Sequence, residues 1–380
     1  MSLVYLDYNA GAPLRPEVAA AIAAVWREPG NPSAVHGPGR AARARLESAR
    51  AQVAALVGAD PAGVIFSSGG TEANATILAG TSAPRLLVSA LEHPSLAVPA
   101  AARGAEIIAA GPDGQVDLAD LERRLAADPR PALVSLMLAN NETGVIQPVA
   151  AAARLVQARG GWLHCDAAQA AGRLPVSLAA LGADFLTLSA HKIGGPPGIG
   201  ALVLADPSTS LASFLLGGSQ ENRRRAGTEN LTGIIGFGVA STLAGDDLAP
   251  DGPTSRVAAL RDRLEELARA CVPAVQVIGA GSPRLGNTSC LALAGLAGTT
   301  QVMALDLAGI AVSAGPACAS GRQQTSRVLT AMGLREAVAG AAIRVSLGWD
   351  SRPAEIDRFI TAWSALARRK GFSVSAAAAA

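Results

Sequence analysis

Short apolar runs alternate with longer amphipathic stretches along most of the chain, and that alternation constrains the fold more than any other feature. Val64-Ile-Phe66, Arg85–Ser89, Glu106-Ile-Ile108, Ala132–Leu138, Trp162–Asp166, Phe185–Ser189 and Gly200–Leu204 read as strands. Between several of them, Gly39–Val57, Glu72–Ala79, Leu118–Ala126 and Pro148–Gln157 read as helices. Strands that alternate with helices are joined by crossovers rather than hairpins, so the pattern predicts an α/β fold with a mostly parallel sheet. The chain is 50% hydrophobic and 16% charged, which is the composition of a folded protein rather than a disordered one. Its 380 residues allow two or three domains, or one large domain with an appendage.

The pattern changes near 245–255. Gly245–Pro253 is polar and turn-rich, and a long helix is predicted from Ser255 to Ala270. Strands follow near Val275–Ile278 and Ser289–Leu293, a helix over Thr300–Leu307 and a strand over Ile310–Ser313. Ser351 can cap a last helix with Pro353 in its first turn. From about 255 onward the chain reads as a second, smaller α+β domain.

Charge and composition exclude several classes of function. The net charge is 32 − 30 = +2, and aromatics make up 3%. Neither a basic field nor stacking platforms recruit nucleic acid. Four cysteines with no C-x-x-C pair make no disulfide framework. The start, Met1 to Asp7, lacks the basic and apolar regions of a secretory signal. The cleanest apolar run, Cys290–Leu305, has 16 residues and holds Thr299, Thr300 and Gln301. A membrane span needs about 20 apolar residues, so no membrane contact is predicted and the expected location is the cytoplasm.

Of the 32 basic residues only Lys192 and Lys370 are lysines. Arginine copies the charge of lysine but cannot supply a nucleophilic amine at neutral pH. Lys370 sits in an Arg-Arg-Lys tail; Lys192 sits mid-chain, after a strand, in Ser189-Ala-His-Lys192, ahead of a glycine-rich loop. A strand, not a helix, follows those glycines, so the loop is no dinucleotide motif. It reads as a rigid holder for Lys192 at the edge where α/β sheets bind ligands. The turn Gly69-Gly70-Thr71-Glu72 joins a strand to a helix, which makes it either an anion site or an ordinary capped turn. Asp166 ends a strand, where it can be a metal ligand, a base or the partner of a buried cation. A metal needs more ligands than the nearby His164 supplies, and none is predicted. Cys165, Cys271 and Cys290 lie in apolar context and read as inert. Cys318 lies among small residues in Ser313–Gly321, where a thiol can be reactive. His93 follows a strand closely and can be structural, an acid/base or a stacking partner. His36 reads as structural.

The ordered set of motifs resembles the class V aminotransferases, and within them the cysteine desulfurases of the nitrogen-fixation and iron–sulfur housekeeping type. The segments are Tyr5–Ala10, Gly30–Ser33, Ser68–Asn74, Asn140–Gly144, Asp166–Gln169, Ser189–Pro196, Gly217–Glu221, Arg224–Asn230, Ala317-Cys318 and Ile343–Gly348. The resemblance implies a pyridoxal 5'-phosphate enzyme of the aspartate-aminotransferase-like fold, type I. It assigns 14–252 to a large cofactor-binding domain. It assigns 1–13 and 253–380 to a small domain with the cysteine loop and the C-terminal helix.

It also implies roles. Lys192 would form the Schiff base with the cofactor and Asp166 would hold its pyridinium nitrogen. Asn141 and Gln169 would bond the phenolic oxygen, and His93 would stack on the ring and move protons. Gly70, Thr71, Ser189 and His191 would bind the phosphate. Thr228 would reach the phosphate of the neighbouring subunit of a homodimer. Arg344, with Asn141 beside it, would hold the carboxylate of L-cysteine, and Cys318 would accept the sulfur as a persulfide. L-Alanine would leave, and the sulfur would pass to an acceptor protein such as an iron–sulfur scaffold.

Three segments depart from the family pattern. Gly11-Ala12 stands for the usual Thr-Thr near the substrate entrance. Pro316 replaces a serine before Ala317-Cys318, and Gln323-Gln-Thr325 stands where Leu-Glu-Pro is common. The related alternatives are a selenocysteine lyase or a true aminotransferase, and, from another class, a non-catalytic partner in sulfur transfer. An aminotransferase has no need of Cys318.

Overall fold

The structure is a computed structural model and describes residues 3–315 and 326–375. Cys318, Pro316 and Gln323–Thr325 lie outside the described residues. The strands are β1 (Val4–Tyr5), β2 (Val64–Ser67), β3 (Arg85–Ser89), β4 (Glu106–Ile108), β5 (Ala132–Met137) and β6 (Trp162–Asp166). They continue as β7 (Phe185–Ser189), β8 (Gly200–Leu204), β9 (Gln276–Ile278), β10 (Thr288–Ala292), β11 (Ile310–Ala311) and β12 (Ala342–Ser346).

Seven strands make one sheet in the order β2-β8-β7-β6-β5-β3-β4. From β4 to β7 every pairing is parallel; β8 is antiparallel to both β7 and β2. Two reversals restore the direction, so β2 ends on the same edge as the parallel strands. The register shows it: Ser67 and Ser189 both lie opposite Gly200. Strands β5, β7 and β8 are buried along their whole length, as helices on both faces require, and this is why they read as unbroken apolar runs. One face packs on Leu46 and Val53 of helix Gly37–Leu56 and on Phe237 of helix Leu231–Asp246. The other packs on Ile77 and Leu78 of helix Gly70–Gly80 and on Leu96 and Ala100 of helix Pro94–Ala102. Strand order reverses beside β3, with β4 on one side and β5 on the other. Ligands of open α/β sheets bind at such a reversal, outside the C-terminal ends of the strands.

A smaller antiparallel sheet, β12-β10-β9, packs with helices Pro253–Cys271 and Pro353–Arg369 around Leu264, Phe359 and Trp363. The N-terminal strand β1 pairs in parallel with β11, and Asp7 bridges to Ser346 at the end of β12. A further apolar cluster joins Leu91 and Met137, at the ends of β3 and β5, to Ile278, Cys290 and Leu329. It seats the smaller sheet over the C-terminal edge of the larger one. The apolar run at 290–305 resolves into β10 and the helix Gly298–Leu307. Among the described residues no helix is long and apolar enough to cross a membrane.

Candidate active site

Strand β7 ends at Ser189, and a single 3₁₀ turn, Ala190–Lys192, lifts Lys192 above the edge. A side chain at Gly195 would stand 2.9 Å from the Ala190 carbonyl oxygen, so only glycine lets the loop fold back this tightly. Lys192 Nζ donates to Asn9 O (2.6 Å) and Ala10 O (2.9 Å). Burial pushes the Lys192 amine down to about 8; Arg173 and Arg344 add to the shift, while Asp7 and Asp166 oppose it. An ordinary lysine near 10.4 is almost all ammonium at neutral pH, whereas this one keeps a reactive free-amine fraction.

Asp166 ends β6, one strand over, and is buried. Its Oδ1 accepts from Ala168 N (3.0 Å) and its Oδ2 from Asn74 Nδ2 (2.9 Å). The two donors fix the orientation of the carboxyl group. Nearby Glu92 is buried too, and its carboxyl is pushed well above the usual range by burial and then by Asp166. His164 does not point a free nitrogen at Asp166: Nδ1 lies 2.5 Å from Ser135 Oγ and Nε2 3.0 Å from Thr187 Oγ1. Burial keeps it neutral, its pKa pushed down to about 4.

The helix Gly70–Gly80 begins at the end of β2 with Gly69 at φ +152°. The amides of its first turn have no acceptor within the helix, as at any helix start. A Cβ at Gly70 would lie 3.7 Å from the Ser189 Cβ, so this helix start and the end of β7 face each other. Ser189 Oγ lies 3.1 Å from His191 Nδ1. Gly70, Ser189 and His191 thus meet at one pole of the site, and Thr71 is next in the first turn of the helix. Burial, Lys192 and Arg173 push the His191 imidazole down to about 4, an environment short of negative charge. Gly11 and Ala12 line an open cavity of about 400 Å³ beside His191.

Asn141 follows β5; its backbone carbonyl accepts from Arg344 and Asn9, and its side-chain amide has no partner among the described residues. Gln169 donates to Asn9 O (3.0 Å) and its carbonyl accepts from Arg173. Arg344 lies on β12, so the smaller sheet delivers it to the edge of the larger one. It is not free: one amino group donates to Asp7 Oδ1 (2.6 Å), the other to Asn141 O (3.0 Å), and Nε has no partner among the described residues. His93 caps the helix Pro94–Ala102 and is exposed. Thr228 is exposed on a segment that lines a cavity of about 170 Å³ with Ser67 and Ser68. Among the described residues it hydrogen-bonds to no member of the Gly70–His191 cluster. The three described cysteines, Cys165, Cys271 and Cys290, are free, buried and raised by that burial, Cys290 to about 12. Three contributors escaped the sequence reading: Asn74, Ser95 and Asp7. Only Asn74 and Asp7 lay within motifs that could have flagged them.

This architecture is that of the fold type I transferases. The family described as aminotransferase class-V matches residues 4–359, and the chain belongs to it. A cysteine desulfurase of Cereibacter sphaeroides is 42% identical over 373 residues, which cover 95% of this chain and 94% of that one. A cysteine desulfurase of Klebsiella pneumoniae is 41% identical over 366 residues, covering 94% and 91%. The solved structure of a NifS-like protein from Rickettsia africae ESF-5 matches with a TM-score of 0.90 at 33% identity, covering 96% of this chain and 99% of that one.

Proposed function

We propose that this chain is a cysteine desulfurase that uses pyridoxal 5'-phosphate to convert L-cysteine into L-alanine, with the sulfur carried as a persulfide on Cys318. The observation that carries the reading is the meeting of Lys192, Asp166 and Arg344 at one sheet edge, in a chain 42% identical to a cysteine desulfurase.

The residues present fit the cofactor. A ring nitrogen that must stay protonated needs an acid facing it, and Asp166, oriented by Asn74 and the Ala168 amide, supplies one. An aldehyde needs an amine that is partly deprotonated near neutral pH, and Lys192 at about 8 supplies one. A phosphate needs amides and hydroxyls, which Gly70, Thr71, Ser189 and His191 would offer, and the neighbouring Glu72 carboxylate is already engaged by Ser68 N and Arg225. Asn141 and Gln169 each keep an amide proton for a phenolic oxygen, and His93 would lie against the ring. When bound, the cofactor supplies an electron sink that loosens bonds to the substrate's α- and β-carbons.

The chain's own residues do the rest. Arg344 binds the carboxylate of L-cysteine, a task suited to its planar fork. Lys192 Nζ takes the α-proton. The Cys318 thiolate attacks the substrate sulfur; an S–S bond forms as the C–S bond breaks, so one cysteine and one thiol give one alanine and one persulfide. The inert state of the three described cysteines supports this choice of nucleophile. Thr228 would serve the phosphate of a second copy, which makes the working unit a homodimer. An acceptor protein such as an iron–sulfur scaffold would take the persulfide sulfur.

The test is to supply the cofactor-loaded protein with L-cysteine and dithiothreitol and to measure alanine and sulfide. Equal amounts of both are expected. Amino-group transfer to a keto acid without sulfide would contradict the reading and favour an aminotransferase.

A further inference from the structure

A chain of hydrogen bonds runs from Asp166 to His93. Asn74 Nδ2 donates to Asp166 Oδ2 (2.9 Å) and to Ser95 Oγ (3.0 Å). Ser95 Oγ lies 2.8 Å from His93 Nδ1, and the Ser95 backbone N–H donates to the same nitrogen at 3.2 Å. The proton positions follow from valence. Asn74 turns its NH₂ toward Asp166 Oδ2, which accepts one amide proton. The second amide proton occupies one of the two lone pairs of Ser95 Oγ; because the Ser95 backbone N–H already makes Nδ1 an acceptor, the hydroxyl must also donate to it rather than accept from it. A backbone N–H only donates. Two donors therefore meet at Nδ1, which must be the bare nitrogen, and the ring proton sits on Nε2. The buried Oδ1 of Asn74 has no partner among the described residues. A side chain chosen only for packing would not carry that penalty, so Asn74 is kept for its two donations.

We propose that Asn74 and Ser95 are positioning residues that tie His93 to Asp166 and fix it as the Nε2–H tautomer, so that His93 offers the site a hydrogen-bond donor and a flat face rather than a base. A proton added at Nδ1 would expel both donors and break the cap of helix Pro94–Ala102, while Nε2 is already filled. Desolvation and the Lys192 charge also resist protonation of the ring, against the pull of Asp166. Proton removal is then left to Lys192 alone. The proposal rests on the reading of Asp166 and His93 as parts of the cofactor site.

Long-range ¹H–¹⁵N correlation on ¹⁵N-histidine-labelled, cofactor-loaded protein tests it. The chain has four histidines, and a His93→Gln variant assigns the His93 signals. The expected result at neutral pH is an unprotonated, hydrogen-bonded Nδ1 and a protonated Nε2. A proton on Nδ1, or rapid exchange between both tautomers, would overturn the proposal. In Ser95→Ala the Nδ1 resonance should move toward that of a nitrogen with fewer donors. In the same variant kcat should fall about tenfold, the scale of one hydrogen bond, at nearly constant KM for L-cysteine. Ser95→Thr should restore both. An unmoved Nδ1 resonance in Ser95→Ala, or a loss that Ser95→Thr does not rescue, would reduce Ser95 to a structural role and overturn the proposal. Failure of the wild type to form alanine would instead sink the desulfurase reading and leave the tautomer result standing.

Discussion

Asp7 and Lys192 share one electrostatic balance. Asp7 accepts from Arg344 through Oδ1 and from Ser313 Oγ (2.8 Å) through Oδ2. It also raises the Lys192 amine that burial, Arg173 and Arg344 lower to about 8. A depressed lysine pKa means that the free amine gains with pH through about 8 rather than through about 10.4. Attachment of pyridoxal phosphate to the stripped protein should therefore accelerate from pH 6 to 8 and level off above, followed as absorbance of the bound cofactor. Asp7→Asn removes a charge that favours the ammonium, so its midpoint should lie below that of the wild type; a midpoint at or above it would contradict this balance. Lys192 and Asp166 were legible in the sequence because a rare residue type and a strand end mark them locally. Asp7, Asn74 and Ser95 were not, because their meaning lies in contacts that span 337, 92 and 21 positions.

Elements near the site are held by buried charge. Glu221, Asn222 and Arg223 take φ of 47°, 56° and 66°, three successive left-handed residues without a glycine. Such conformations persist only where the surroundings over-determine them. Here the buried Glu221 carboxylate accepts two bonds from Arg50 (2.8 and 2.9 Å) and one from Phe66 N (2.9 Å). Two residues on, Arg225 pairs with Glu72 (2.9 Å) in the first turn of helix Gly70–Gly80. The strained turn is thereby strapped to β2 and to the anion-facing helix, with Thr228 just beyond. Glu221→Gln leaves the buried Arg50 with only the half-exposed Glu47 (3.0 Å) as counter-charge and should destabilise the fold by about 2 kcal/mol. Urea unfolding would show it as a lower midpoint at unchanged slope, and a loss under about 1 kcal/mol would contradict the assignment. The helix Leu231–Asp246 escaped the sequence reading for a related reason. Its glycines argue against a helix locally, yet a Cβ at Gly238 would lie 2.8 Å from Ala49 Cα in the helix Gly37–Leu56. Close packing of the two helices overrides low propensity. Pro99 inside the helix Pro94–Ala102 hid that element in the same way.

Two sheets meet at the candidate site. The larger delivers Gly70, His93, Asn141, Asp166, Ser189 and Lys192 to one edge, and the smaller brings Arg344 over it on β12. The α/β class and the parallel sheet were readable because buried strands are apolar throughout and their helices are amphipathic. That β1 pairs with β11, three hundred residues away, is a long-range fact no local pattern carries. In the proposed reaction sulfur leaves L-cysteine for Cys318. The most direct test is intact-protein mass spectrometry after one turnover without reductant, with released alanine counted beside it. Wild type should gain the mass of one sulfur atom per alanine formed, and Cys318→Ala, still loaded with cofactor, should gain none and release almost no alanine. Equal alanine from both proteins, with no gain in mass on either, would contradict the account.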